Sequence, residues 1–340
     1  MSRNRKILVG FVFAACALAV ALATAFYAGL QRFADAPLAP LPKSATLDVA
    51  FGTPLPGIVR DLDARGIRSG SPLYWRLLAR QMGVAGKLHA GEYALDPGIA
   101  PRGLLEKMAA GDVVQHKFTI VEGWTFAQLR DALARDPELE RTLIGRSGAD
   151  IMRALGSAAA PPEGWFLPET YQFVKGMSDL DILRRAHAAM RSKLDALWAA
   201  RAPDLPLDTP YQALILASIV EKETAQPAER ALIAGVFERR LKLGMRLQTD
   251  PAVIYGLGSG YDGKIHTRDL ETDTPYNTYT RAGLPPTPIA MPGSASLEAV
   301  LHPAPTDALY FVARGDGTHA FSATLEAHNR AVAKYQLHRP

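Results

Sequence analysis

Residues 211–224 read YQALILASIVEKET, and the rest of the chain is organised around them. The run from Tyr211 to Val220 carries no charge, and Glu221, Lys222 and Glu223 then arrive together. Ala, Leu, Ile and Glu at this density favour helix. The pattern predicts a largely buried helix with carboxylates at its C-terminal end. A carboxylic acid beside apolar walls has its pKa pushed up, because burial disfavours the charged form. Such an acid can give up a proton near neutral pH. The same letters also fit a solvated helix end, where EKE is a common surface pattern. At about 100° per residue, Glu221 and Glu223 lie about 200° apart around the helix, so they cannot point along one face.

On the C-terminal side, Pro227–Leu243 is a predicted helix with Pro227 in its first turn and an apolar stripe at Ile233, Val236, Phe237 and Leu241. A polar stretch rich in Gly, Thr and Pro follows over 247–284. Asn277, between Tyr276 and Tyr279 and next to Thr278 and Thr280, has the side chains suited to sugar hydroxyls and acetamido groups. An ordinary surface loop has the same composition. Asp250, Asp262, Asp269, Glu271 and Asp273 lie nearby but lack the spacing of a calcium loop. The tail predicts a short helix over 296–301, strands at 308–313 and 319–321 with a hairpin turn between them, and a closing helix over 325–335.

On the N-terminal side, Asp179–Ala200 has helical spacing throughout. The preceding stretch, PPEGWFLPETYQFVK over 161–175, is too punctuated by Pro and Gly to be one regular element. Its aromatics suit either a carbohydrate platform or a clasp between domains, and Glu163 and Glu169 either touch ligand or cap helices. Residues 139–155 read as loosely helical, interrupted by Gly145 and Gly148. Thr125, with Gln128 three positions on, predicts a capped helix start. Short elements fill the region before it: strands at 45–50 and 115–121, helices over 57–66, 72–83 and 101–111, and a weak alternation over 88–95. The result is a compact module of helices and strands.

The first segment, Ile7 to Leu30, has no formal charge and is preceded by Arg3, Arg5 and Lys6. At about 1.5 Å per residue it is long enough to span a hydrocarbon core of about 30 Å. The basic cluster keeps the short tail cytoplasmic and sends the body outward. A cleaved signal peptide is the competitor, but its apolar region is usually only about 7–15 residues. QRFADAPLAPLP over 31–42 then reads as a short semi-rigid spacer.

Composition excludes several classes. The net charge is +4, and Arg3, Arg5 and Lys6 alone account for most of it, so there is no nucleic-acid footprint. The single cysteine, Cys16, lies in the apolar segment, so an intramolecular disulfide is impossible. No HExxH, GxSxG or phosphate-cradling loop occurs. His89, His116, His302, His319 and His328 are scattered and form no ligand pattern.

Several stretches together carry a resemblance: PEGWFLPETY at 162–171, ASIVEKET at 217–224, MRLQTDPAVIYGLG at 245–258, YDGKIHTRDLETDTPYNTYTRAGLPPTPIAMPG at 261–293 and YFVARGDGTHAFSATLEAHN at 310–329. The chain closely resembles the endolytic murein transglycosylases, also called MltG or YceG-like proteins, over nearly all of its exported part. The resemblance implies an α+β fold with a single N-terminal transmembrane helix, a small LysM-like subdomain and a larger catalytic domain with a lysozyme-like catalytic helix and cleft. The corresponding division is a cytoplasmic tail at 1–6, the transmembrane helix at 7–30, a spacer at 31–43, the LysM-like subdomain at 44–121, a connecting and accessory helical region at 122–210 and the catalytic core at 211–336. It implies Glu221 as the catalytic acid, with Glu223, Gln248, Asn277, Tyr279 and Thr280 facing substrate; Glu223, so near in sequence, is the rival acid. Neither a cofactor nor a metal is implied. The expected substrate is a peptidoglycan glycan strand at the outer face of the bacterial inner membrane, cut at the MurNAc–GlcNAc β-1,4 bond to leave a 1,6-anhydroMurNAc end. Peptidoglycan synthases are the expected partners. A non-enzymatic wall-binding scaffold and a hydrolase giving reducing ends are the competing readings.

Overall fold

The computed structural model describes residues 3–41 and 45–337, and divides into two compact units, Met1–His116 and Lys117–Pro340. The fold is α+β, with one N-terminal helix long and apolar enough to cross a membrane.

In the first unit, α1 (Arg3–Asp35) is followed by β1 (Thr46–Val49), α2 (Leu55–Ala64), α3 (Pro72–Gln81), β2 (Gly91–Ala94) and α4 (Pro101–Ala110). β1 and β2 pair antiparallel with Leu47 opposite Tyr93, both fully buried. Trp75 fills the centre and donates from its indole nitrogen to the Ser69 carbonyl at 2.7 Å. α4 stops at Gly111, whose φ of 67° is the left-handed cap that glycine accepts without strain.

The helix expected over 7–30 and the spacer expected over 31–43 meet inside one continuous helix. α1 continues past Leu30 to Asp35, and its exposed apolar surface ends near Ala28. Leu30, Ala34 and Leu38 are buried in the core of the first unit. Phe33 meets the Trp75 ring edge-on with centroids 5.6 Å apart. Arg102 donates to Asp35 and to Gln31, each at 2.8 Å. The spacing of Leu30, Phe33 and Ala34 continues a helical face beyond the apolar run, and the helix ends where Pro37 disfavours α geometry before it. Residues 42 and 43 of the expected spacer, and residue 44 at the start of the expected subdomain, lie outside the described residues. Leu38→Ala should therefore cost about 2–3 kcal/mol, as a buried leucine does. Thermal unfolding of the first unit should then shift down by about 10 °C or more, where a spacer residue would change little.

The second unit opens with β3 (His116–Thr119) at the boundary and continues through α5 (Phe126–Arg135), α6 (Gly148–Ala154), β4 (Thr170–Phe173), α7 (Asp179–Ala199) and α8 (Pro210–Glu223). After a 3-10 turn at Pro227–Glu229 come α9 (Arg230–Lys242), α10 (Asp250–Leu257), α11 (Thr267–Glu271), α12 (Ser294–Leu301), β5 (Tyr310–Ala313), β6 (His319–Ser322) and α13 (Leu325–Tyr335). β3 pairs with β4, and β5 pairs antiparallel with β6. One apolar core surrounds α8, with α7, α9 and α12 packed on it, and a second lies beneath α5, α6 and β4. Residues 122–210 and 211–336 thus belong to one unit that holds two cores.

Two segments differ from their sequence expectation for identifiable reasons. Only Gly148–Ala154 of 139–155 is helical. The buried Asp179 carboxylate accepts from the Thr142 amide at 2.9 Å, the Thr142 hydroxyl at 2.6 Å and the Leu143 amide at 3.2 Å, which holds that stretch as a loop. The aromatics of 161–175 pack within the second unit, tying its parts together, rather than forming an open platform or a clasp between the two units. Phe166 is fully buried and stacks on Phe126 with centroids 5.4 Å apart, and Trp165 stacks on Tyr211 at 5.8 Å. Gly164, at φ 83°, lets this segment close on the Pro-rich loop, because a Cβ there would come within 2.6 Å of Pro288.

Candidate active site

α8 starts with Thr209 as its cap, accepting from the Gln212 amide at 3.2 Å, and Pro210 in the first turn. Every residue from Ala213 to Val220 is buried. The helix is therefore apolar all round, as a central core helix must be, and only its last turn reaches polar surroundings. There the two glutamates diverge.

Glu221 is taken up by structure. Its Oε2 accepts from the Gly293 amide at 2.9 Å and the Ser296 hydroxyl at 2.7 Å, at the N-terminus of α12. Arg230 at the start of α9 stands 3.6 Å from Glu221 Oε1, and the Glu221 side chain is only 5% exposed. A Cβ at Gly293 would sit 1.9 Å from the Glu122 carboxylate, so a side chain there would require the Glu122 side chain to move. Glu221 thus ties α8 to α9 and α12, and it does not line the cavity next to this turn.

Glu223 lines that cavity, which has a volume of about 550 Å³. Its Oε1 accepts a short hydrogen bond from the Thr249 hydroxyl. Burial pushes its carboxyl up to about 7; nearby Asp250 pushes the same way, while the Thr249 bond and Arg240 pull it back. A carboxylic acid that still holds its proton in part at neutral pH and faces a cavity is able to donate it to a bound substrate.

Gln248, Asp250, Tyr279 and Arg240 stand around the same space. Gln248 has φ 52°, in the left-handed region that costs a non-glycine residue energy, and such positions cluster at functional sites. It is held by its amide donating to the Thr278 carbonyl at 3.1 Å. Arg240 is buried and braces the wall, donating to the Leu309 carbonyl at 2.6 Å and the Leu247 carbonyl at 2.7 Å. The Tyr279 hydroxyl donates to Asp250 at 2.5 Å. Burial and that carboxylate push its phenol pKa up, so it stays protonated.

Asn277 and Thr280 do not join this group. Asn277 is 1% exposed. It donates to the carbonyls of Asp269, Leu270 and Thr272, and its Oδ1 accepts from the Tyr279 amide at 2.8 Å. Its hydrogen-bonding capacity is spent on the loop that presents Tyr279. Thr280 donates to Asp273 at 2.8 Å, and Asp273 in turn holds Arg281 in a two-pronged pair. The structure therefore brings Glu223, Gln248 and Tyr279 together, and gives Glu221, Asn277 and Thr280 supporting positions. Sequence reasoning missed Thr249, Arg240 and the cavity wall formed by Tyr310 and α13. Arg240 carries the one available signal, a cation in a helix stretch that must otherwise pack against the core.

Glu163 is a second acid pushed up by burial, to about 7. It accepts from the Phe126 amide at 2.9 Å and the Tyr255 hydroxyl at 3.0 Å. It caps α5 and fastens α10, as one of its two sequence readings had it.

A model described as the YceG-like family matches residues 47–334. The endolytic murein transglycosylase of Bacillus subtilis (strain 168) is 32% identical over 268 residues, 74% of each chain. That of Streptococcus pneumoniae serotype 2 (strain D39 / NCTC 7466) is 28% identical over 282 residues, 73% of this chain. The present chain spans 51% of that longer relative. Among solved structures, a yceG-like protein from Listeria monocytogenes superposes with a TM-score of 0.52 at 31% identity, covering 84% of this chain and 98% of that one.

Proposed function

The chain belongs to the YceG-like family, and we propose that it is a membrane-anchored endolytic lytic transglycosylase that cuts peptidoglycan glycan strands with Glu223 as its acid. The observation that carries this reading is the Glu223 carboxyl, held protonated to about pH 7 at the edge of a cavity large enough for sugar. Glu223 donates its proton to the bridging oxygen of the MurNAc–GlcNAc β-1,4 bond. The C1–oxygen bond breaks and positive charge develops on the MurNAc ring. The 6-hydroxyl of the same MurNAc then attacks C1, and its proton passes to the Glu223 carboxylate. The leaving GlcNAc carries the first proton, the MurNAc ends as the 1,6-anhydro sugar, and no water is consumed. One carboxyl acts in turn as acid and base, where an ordinary glycosidase uses two. The Thr249 hydroxyl and the Arg240 guanidinium favour the carboxylate while it lacks its proton.

The βααβ order of the first unit supports reading it as the LysM-like module. α1, its lower turns packed into that unit, serves as the single-pass anchor, with the body on the outer side of the inner membrane. This placement favours newly made strands and the company of peptidoglycan synthases. Asp250, in the same cavity, gives the hydrolase reading its specific support, because a second carboxylate is what water attack requires.

Mass spectrometry of the products from polymerised, uncrosslinked strands separates the two. Internal cuts with 1,6-anhydroMurNAc ends are expected; reducing ends would mean hydrolysis. The pH profile follows from Glu223. The acid must be protonated, so kcat/KM should hold level on the acid side and fall about tenfold per pH unit above about 7. A profile still rising through pH 8 would exclude Glu223 as the acid.

A further inference from the structure

The cavity extends well beyond the acid. Its far side is built by β5 and α13, with Tyr310, His328, Asn329 and Val332 lining it. These residues have no place in the proton transfers described above. Their arrangement is layered. The Arg240 guanidinium lies over the Tyr310 ring with its carbon 5.2 Å from the centroid. The His328 ring stacks on Tyr310, with centroids 5.2 Å apart and planes 24° apart. The guanidinium and the imidazole therefore both lie against the Tyr310 ring, and all three side chains line the cavity.

The imidazole is neutral and incompletely bonded. Burial lowers the His328 pKa, and the Arg240 charge lowers it further. Its Nδ1 is enclosed with no hydrogen-bond partner among the described residues. Nε2 is then the ring nitrogen left to a ligand. Asn329, next to it on α13, is exposed and offers both a donor and an acceptor. The neutral Tyr310 and His328 rings, flanked by an amide, suit an uncharged polyhydroxylated ligand. Ring faces meet the apolar face of a pyranose, and the polar atoms take its hydroxyls and acetamido group. With no free cation among the described residues that line it, this end is poorly suited to a phosphate or a nucleotide.

We infer that α13 forms a sugar subsite of the Glu223 cavity, in which His328 and Asn329 hold one of the N-acetylated pyranoses flanking the cleaved bond. The inference rests on the glycan-cutting reading. It assigns the C-terminal hairpin and helix a direct part in substrate binding. By fixing a neighbouring sugar, the subsite sets the position of the bridging oxygen at Glu223 while leaving the proton transfers untouched.

The test is steady-state cutting of uncrosslinked strands by the full chain and by His328→Ala, His328→Gln and Asn329→Ala. It is paired with calorimetric binding of tetra-N-acetylchitotetraose to the same variants carrying Glu223→Gln. His328→Ala should raise KM about tenfold, with kcat within about threefold. His328→Gln should recover most of the loss, and Asn329→Ala should raise KM about threefold. The oligosaccharide affinities should fall in the same order. Asn329 is exposed and carries the test should His328→Ala lower the melting temperature. KM values and affinities equal to the parent in both alanine variants would overturn the subsite, as would a loss confined to kcat. If the parent itself neither cuts strands nor binds the oligosaccharide, the glycan-cutting reading is what fails. If the parent cuts and the variants match it, only the subsite fails.

Discussion

Glu223→Gln should abolish strand cutting, lowering kcat by at least about a thousandfold, while leaving the protein folded. General acid–base assistance is worth about 10²–10⁴ in rate, and here one carboxyl supplies both the acid and the base step. Glutamine matches the protonated acid in shape, and its carbonyl can still accept from the Thr249 hydroxyl, so the loss falls on chemistry rather than on packing. Binding of the oligosaccharide should survive.

The same substitution should also make the protein more stable at high pH. The folded carboxyl titrates near 7 instead of 4.5. The folded state therefore holds its proton more tightly than the unfolded chain does. That contribution to stability is fully present below about 4.5 and is lost as pH rises through about 7. At about 1.4 kcal/mol per pH unit, the amount is at most about 3 kcal/mol. At pH 8 the wild type has lost it, whereas the glutamine variant never ionises. Urea denaturation at pH 5 and pH 8 should show a falling midpoint for wild type and a flatter response for Glu223→Gln. Cutting by Glu223→Gln within tenfold of wild type would remove Glu223 from the chemistry.

Which glutamate matters is a question that the sequence poses and leaves open, for a physical reason. The charge-free run from Tyr211 to Val220 makes the buried helix legible, and the two acids at its end are plain. An amphipathic helix would also reveal which side faces a cleft, but α8 is buried on every side from Ala213 to Val220 and has no polar face to read. The direction of the cavity is set by Thr249, Asp250 and Tyr279, which reach Glu223 only through tertiary packing. The loop around Asn277 misleads in the opposite way. Its composition suits sugar binding, yet the asparagine amide is used up in holding its own backbone. The lower turns of α1 illustrate a third limit. Local propensity reads the Ala- and Pro-rich stretch as a spacer, and only the partners supplied by α3 and α4 turn Leu30, Ala34 and Leu38 into core.

Glu221→Ala should produce the opposite pattern to Glu223→Gln, with stability lost and cutting retained. The substitution removes the acceptor for the Gly293 amide and the Ser296 hydroxyl, and the nearer of two anions beside Arg230. Arg230 is only 12% exposed, and its Nε already lacks a partner. Breaking a buried pair from one side typically costs about 3–5 kcal/mol, because the remaining charge stays buried without compensation. Glu122, 3.8 Å from the same guanidinium and largely exposed, offsets part of that, so the expected cost is about 3 kcal/mol. The loss should appear in urea denaturation of the second unit. Pairing the substitution with Arg230→Met should recover a good part of it, since the double variant leaves no stranded charge. At a temperature where the variant is fully folded, kcat should stay within about tenfold of wild type. A folded Glu221→Ala protein without cutting activity would instead return the acid to Glu221. The cavity beside Glu223 would then have to serve binding alone. Comparing the two variants for stability and rate on the same preparation therefore decides which acid cuts the glycan and which holds α8 against α9 and α12.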